Sequence, residues 1–224
     1  KQRGIQPIII IDEIQLLKNI YINGERHLID QLFNLFIALT KVKHLAHVVL
    51  ATSDSYFIEE IYNSAKLGKT SDFFLLEHFD EGTVYSWLKK EDFAQSEIEA
   101  VWHNIGGCPW EIREIIRKKR NGQNVIDIVE KIIENNYGKI NEYRLNIEDN
   151  NLKIQFDLII KAIVKENGYI RKDDENTALV KHLLKQCIEL DIWFYKPEEQ
   201  KIIANSKSIY RAFEKTVSTD GKTS

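Results

Sequence analysis

The sequence predicts an α/β chain: a partial parallel sheet first, then a helical region, then a small α+β module. Three observations carry this. Ile8 to Ile11 form an unbroken β-branched run, which suits a strand buried on both faces of a parallel sheet. A second such run, "HVVLATSD" at 47–54, follows a helical stretch. From Glu81 to about residue 149 the apolar residues recur almost throughout at helical spacing, and alternation does not return until the tail.

Taken in order, the strand at Ile8 runs into two adjacent carboxylates, Asp12 and Glu13. Leu28, Leu32, Leu35, Phe36, Leu39 and Val42 then mark a helix, with Ile29, Phe33 and Ile37 as a second stripe. The strand at His47 leads to a helix over Ser55 to Asn63, and "DFFLLEHF" at 72–79 is a third strand candidate. Strand–helix–strand order implies right-handed crossovers and a parallel sheet. In the helical region Ser96 and Glu99 read as a capping box, "GGCP" breaks the chain, and Val125, Ile128, Val129, Ile132 and Ile133 mark a further helix. After the polar "NIEDNN" come a helix face (Leu152, Phe156, Ile159, Ile160, Ile163), a short strand in "GYIRK", a helix at Leu179, Leu183 and Cys187, and a hairpin in "IWFYKPEEQKIIA". That order resembles a compact winged helix with one helix fewer than a full helix-turn-helix. The expected domains are 1–80, 81–149 and 150–217, with 218–224 a disordered tail.

Composition narrows the function classes. With 31 basic and 34 acidic residues the net charge is −3, so the chain has no global attraction to nucleic acid or anionic lipid. Cys108 and Cys187 are too far apart in sequence for a metal knuckle or a disulfide framework, which fits a reducing cytoplasm. No apolar stretch reaches the ~20 residues a membrane span needs. The sequence contains no methionine, so native sequence upstream of Lys1 is expected.

Four motifs stand in a telling order: "IIIIDEIQLL", "VVLATSD", "KLGK" and "GGCPWEI". Together they resemble the P-loop ATPases of the AAA+-related archaeal family, close to the STAND group, over residues 5 to 115. The resemblance implies a P-loop NTPase sheet with a helical lid, and the winged-helix-like tail extends it to about residue 215. It implies ATP and Mg²⁺ as ligands, and DNA or a protein as a client of the tail. Asp12 would hold the metal, since Mg²⁺ takes few carboxylates and keeps several waters. Glu13 would act as general base on the attacking water, and Ser53, or Thr52, would hydrogen-bond that water or the γ-phosphate. Gly106, Gly107 and Pro109 would let backbone approach the adenine or ribose, because glycine has no obstructing side chain. Lys69 falls where the family presents a positive group to the γ-phosphate, within a subunit or across a homo-oligomer interface. Two departures stand out. The phosphate loop G-x-x-x-x-G-K-[ST] does not occur in the 224 residues, so it is expected upstream and this chain alone is expected to be inactive. Lys69 also stands where arginine is usual, and an ammonium lacks the guanidinium fork.

Each of these residues has a simpler reading. Asp12 and Glu13 suit the N-terminal dipole of a following helix, and Ser53 or Asp54 suits an N-cap. "GGCP" suits a plain helix break with proline at the first helical position. His44 and His47 read as a histidine pair without metal partners. "RKKR" at 117–120 reads as a solvated helix end, and the four tryptophans as core or domain-interface residues. A second function class also stays open: a non-catalytic module binding nucleic acid or protein through the tail and "RKKR". Residues 152–215 carry twelve basic and ten acidic side chains, a weak charge for a DNA reader.

Overall fold

The computed structural model of the chain describes residues 6–24, 26–63, 70–166, 168–171 and 177–220. They form an α/β fold in which helices dominate, divided into two compact units, 1–74 and 75–224.

In the first unit β1 (Ile8–Ile11) pairs in parallel with β4 (His47–Leu50), Ile8 opposite His47 and Ile11 opposite Leu50. Between them lie β2 (Tyr21–Ile22) and β3 (Arg26–His27), a small antiparallel hairpin, and α1 (Leu28–Ile37). The hairpin turns through Asn23 and Gly24, both at positive φ. Its two-residue strands are too short to leave a periodic signal. One face of the β1–β4 pair, with Ile11, Val48 and Leu50, packs on Ile29, Phe33 and Phe36 of α1 together with Ile14 and Phe57. Among the described residues of this unit the other face has no cover: Ile8 is 64% and Ile10 70% exposed. The expectation of a strand buried on both faces is therefore corrected. Among the described residues of this unit, helical cover lies on one face. α2 (Ser55–Asn63) follows β4 at the predicted position.

Two further expectations fail for identifiable reasons. "DFFLLEHF" forms no strand. Its apolar composition favours extended backbone, but a strand exists only through a ladder partner. Phe74 and Leu76 stay largely exposed, and the division between the units falls within this segment. The Ser96–Glu99 capping box is replaced by Glu97, whose carboxylate accepts from the Ala94 N–H at 2.7 Å and starts the helix at Gln95.

The second unit begins with α3 (Glu81–Lys90), α4 (Gln95–Asn104), α5 (Pro109–Arg120) and α6 (Val125–Asn146). They share a core of Val84, Leu88, Val101, Ile112, Ile115 and Ile128. Next come α7 (Asn150–Lys165), β5 (Tyr169–Arg171), α8 (Thr177–Glu189), β6 (Trp193–Lys196), β7 (Lys201–Ala204) and α9 (Lys207–Asp220). The strands form an antiparallel sheet in the order β5-β7-β6. Phe156 stacks on Trp193 at 5.6 Å in the buried centre. The expected boundary at 149/150 lies inside this unit. Arg144 of α6 grips Asp157 of α7 with two 2.7 Å contacts, and Asn136 of α6 donates to Ser208 of α9 at 2.8 Å. Helix α9, to which the sequence reading assigned no element, includes Ser218 and Thr219. That part of the expected disordered tail is helical, and residues 221–224 lie outside the described residues.

Candidate active site

β1 ends at Ile11, Asp12 follows it, and Glu13 adopts the left-handed conformation (φ 52°, ψ 43°) before a 3₁₀ turn over Ile14–Leu17. For a non-glycine residue this costs on the order of 1–2 kcal/mol, and it persists only where neighbours over-determine it. They do so here. The Ile14 N–H donates to the Ala51 carbonyl at 3.2 Å, and Ala51 N–H to the Ile11 carbonyl at 2.8 Å, stitching the ends of β1 and β4 together.

Side chains repeat the stitching. Glu13 Oε2 accepts from Gln15 Nε2 and from the Ser53 hydroxyl, the latter at 3.2 Å. Gln15 Oε1 in turn accepts from the Thr52 hydroxyl at 2.5 Å. Thr52, Gln15, Glu13 and Ser53 thus form one chain across the two strand tips. Asp54 caps α2, its Oδ1 accepting from Tyr56 N–H at 3.0 Å and Phe57 N–H at 2.9 Å. Because Asp54 takes the cap, Ser53 is left for Glu13. Asp12 is exposed, and among the described residues its one hydrogen bond is from the Glu13 N–H at 2.9 Å. Most of its lone pairs remain for a cation. Of the predicted residues, Asp12, Glu13 and Ser53 come together at this tip. Gln15 was given no role by sequence reasoning; its signal was its place in "IIIIDEIQLL", where the resemblance has Asp-Glu-x-Gln.

The glycine signature lies in the second unit. Gly106 ends α4 at φ +72°, its N–H shared by the carbonyls of Val101 and Trp102, and a Cβ there would lie 3.1 Å from Lys207 Cβ. Gly107 is crossed by the chain's own backbone: a Cβ would fall 1.8 Å from the Phe79 carbonyl oxygen, and Phe79 N–H donates to Gly107 O at 3.0 Å. Pro109 opens α5 at its first position, where a missing N–H costs nothing. One turn in, half-buried Glu111 accepts from Ser208 Oγ and, at 3.4 Å, from Asn136 Nδ2. Burial raises its pKa above the usual carboxylate value. Burial, with the neighbouring Glu111 charge, likewise pushes the Cys108 thiol up. Lys69 lies outside the described residues.

An ATPase domain found predominantly in Archaea matches residues 1–115. The chain belongs to this archaeal ATPase family. An uncharacterized ATP-binding protein of Methanocaldococcus jannaschii is 40% identical over 207 residues, covering 92% of this chain and 56% of that protein. A second from the same organism is 42% identical over 146 residues, 65% of this chain and 43% of its own length. The chain therefore spans about half the length of the curated relatives it matches. Among solved structures, a Walker-type ATPase of Pyrococcus abyssi superposes with a TM-score of 0.63 at 17% identity, over 93% of this chain and 63% of that one. At that identity the likeness is one of fold. In this ATPase-family chain no described helix is long and apolar enough to cross a membrane.

Proposed function

We propose that residues 1–224 supply the Walker B, lid and C-terminal portions of an ATP-binding and ATP-hydrolysing switch. The observation that carries the reading is Glu13, held in a strained backbone state beside Asp12 by Ser53 and Gln15. A carboxylate so oriented can take a proton from a water that attacks a phosphoryl group, a reaction that is mostly positioning and electrostatics. Ser53, already donating to Glu13, would orient that water or donate to the γ-phosphate. Asp12, exposed and nearly free of partners, fits a Mg²⁺ site of few carboxylates and several waters. When bound, the metal would neutralise phosphate charge. Gly106, Gly107 and Pro109 are assigned to the adenosine side, with the Phe79 crossing as the element that fixes their backbone. Lys69 is assigned to the γ-phosphate, where an arginine finger would add about 10³–10⁵ in rate and a lysine less.

The phosphate loop, which does not occur in the 224 residues, is assigned to a part of the full reading frame outside them. The α7–β5–α8–β6–β7 order supports a winged-helix-like module that the nucleotide state would switch, with DNA or a protein as client. The deciding experiment uses the full reading frame. Glu13→Gln should keep Mg-ATP affinity and lose nearly all turnover, because an amide cannot accept the water's proton. Turnover at the wild-type rate removes Glu13 from the reaction. A full reading frame without the phosphate loop removes the ATPase reading for this chain.

A further inference from the structure

The sequence points to "RKKR" as the basic feature of the helical region, but packing disarms most of it. Lys118 pairs with Glu114 at 2.6 Å. Lys119 pairs with Glu97 at 2.6 Å and lies 3.9 Å over the Phe93 ring. Arg120 pairs with Glu91. What remains is a different set on another stripe of α5. Arg113 and Arg117, one turn apart and exposed, make no ion pair or hydrogen bond among the described residues. Trp110, one turn before Arg113, is 73% exposed, contrary to its expected place in a core or interface. These three line a groove of about 600 Å³ with the half-buried Trp87 as its apolar wall. The two carboxylates that also line it, Glu91 and Glu114, are neutralised by Arg120 and Lys118. The groove therefore presents two free guanidinium groups beside an open indole face.

We propose that this groove binds single-stranded nucleic acid, a base stacking on Trp110 and successive phosphates pairing with Arg113 and Arg117. A guanidinium matches a phosphate's paired oxygens, and an exposed tryptophan offers every base a stacking face without sequence preference. The stripe from Trp110 to Arg117 is about 10 Å long at 1.5 Å per residue, more than one nucleotide occupies. A duplex hides its base faces and cannot use the indole.

The test is direct titration of the chain with oligothymidylate and oligouridylate of about twelve nucleotides, read by tryptophan quenching and anisotropy at several salt concentrations. Two phosphate contacts predict a slope of about −1.4 in log K against log salt. Arg113→Gln with Arg117→Gln should flatten that slope and weaken binding roughly 60-fold at about 50 mM salt. Trp110→Ala should cost about 5- to 150-fold with the slope kept, and Trp110→Phe should recover most of it. All three side chains are exposed, so circular dichroism and urea midpoints should stay at wild-type values. The proposal is overturned if the variants bind like wild type, or if a duplex or a phosphorylated peptide binds as tightly as the single strand. It is also overturned if ATP displaces the oligonucleotide at concentrations that fill the groove. None of these outcomes bears on Glu13, so this site and the ATPase reading fail separately.

Discussion

Replacing Gly107 with alanine separates a glycine kept for packing from one kept only for nucleotide. The added Cβ would lie 1.8 Å from the Phe79 oxygen, 2.7 Å from its carbonyl carbon and 2.8 Å from its nitrogen. All three are backbone atoms, so no rotamer change relieves the clash, and the 75–80 segment must retreat by more than about 1 Å, far beyond normal packing tolerance. That movement breaks the 3.0 Å hydrogen bond from Phe79 N–H to Gly107 O and disturbs the edge-on Phe79–Trp87 contact at 5.9 Å. Overpacking of about 1–3 kcal/mol, a hydrogen bond of about 1 and an aromatic contact of about 1 give roughly 3–5 kcal/mol. Domain stabilities of about 5–15 kcal/mol make this a large loss. At a slope of about 2 kcal/mol per M urea, the midpoint should fall by roughly 1.5–2.5 M. Tryptophan fluorescence is the assay, since Trp87, Trp102, Trp110 and Trp193 all lie in the second unit. Gly138 in α6 supplies the opposite control. A Cβ there meets nothing within 4 Å, so Gly138→Ala should gain about 0.5–1 kcal/mol. A wild-type midpoint for Gly107→Ala would refute the backbone crossing and return Gly107 to a purely ligand-facing role.

Other outcomes follow from the buried and bridging groups. Burial holds the folded-state pKa of Glu111 above its ordinary value, so the native state binds that proton more tightly than the unfolded chain. The associated stability is full below the ordinary carboxylate pKa and declines as pH rises to the folded one. Thermal melts from about pH 4 to 8 should show this decline in wild type relative to Glu111→Gln, and superimposable pH profiles would count against it. Gln15→Ala removes the bridge between Glu13 and Thr52; faster amide exchange at Ile14, by about tenfold for a loss of about 1.4 kcal/mol, is the readout. Both thiols have raised pKa values, chiefly through burial. Iodoacetamide at neutral pH should therefore label Cys108 slowly, and the fully buried Cys187 only on unfolding; rapid labelling of Cys108 would contradict its surroundings.

Local chemistry made part of this molecule legible before any coordinates. Four consecutive isoleucines meeting Asp12 and Glu13 announce a strand and the polar site at its tip, because β-branching and charge act on their own residues. Helix α2 and the turn after Tyr195 and Lys196 were readable for the same reason: apolar spacing and Pro197 speak for themselves. Tertiary structure alone decided what depends on a distant partner. Residues 72–79 have strand composition but no ladder, so they are not a strand. "RKKR" is basic in sequence, yet Glu91, Glu97 and Glu114 neutralise three of its four charges. That Gly107 also has a packing reason to be glycine appeared only with the Phe79 backbone lying across it. Ser53 became a partner of Glu13 only because Asp54 took the helix cap. A residue's own preference is written beside it in the chain, whereas its energy is set by groups that folding brings within a few ångströms.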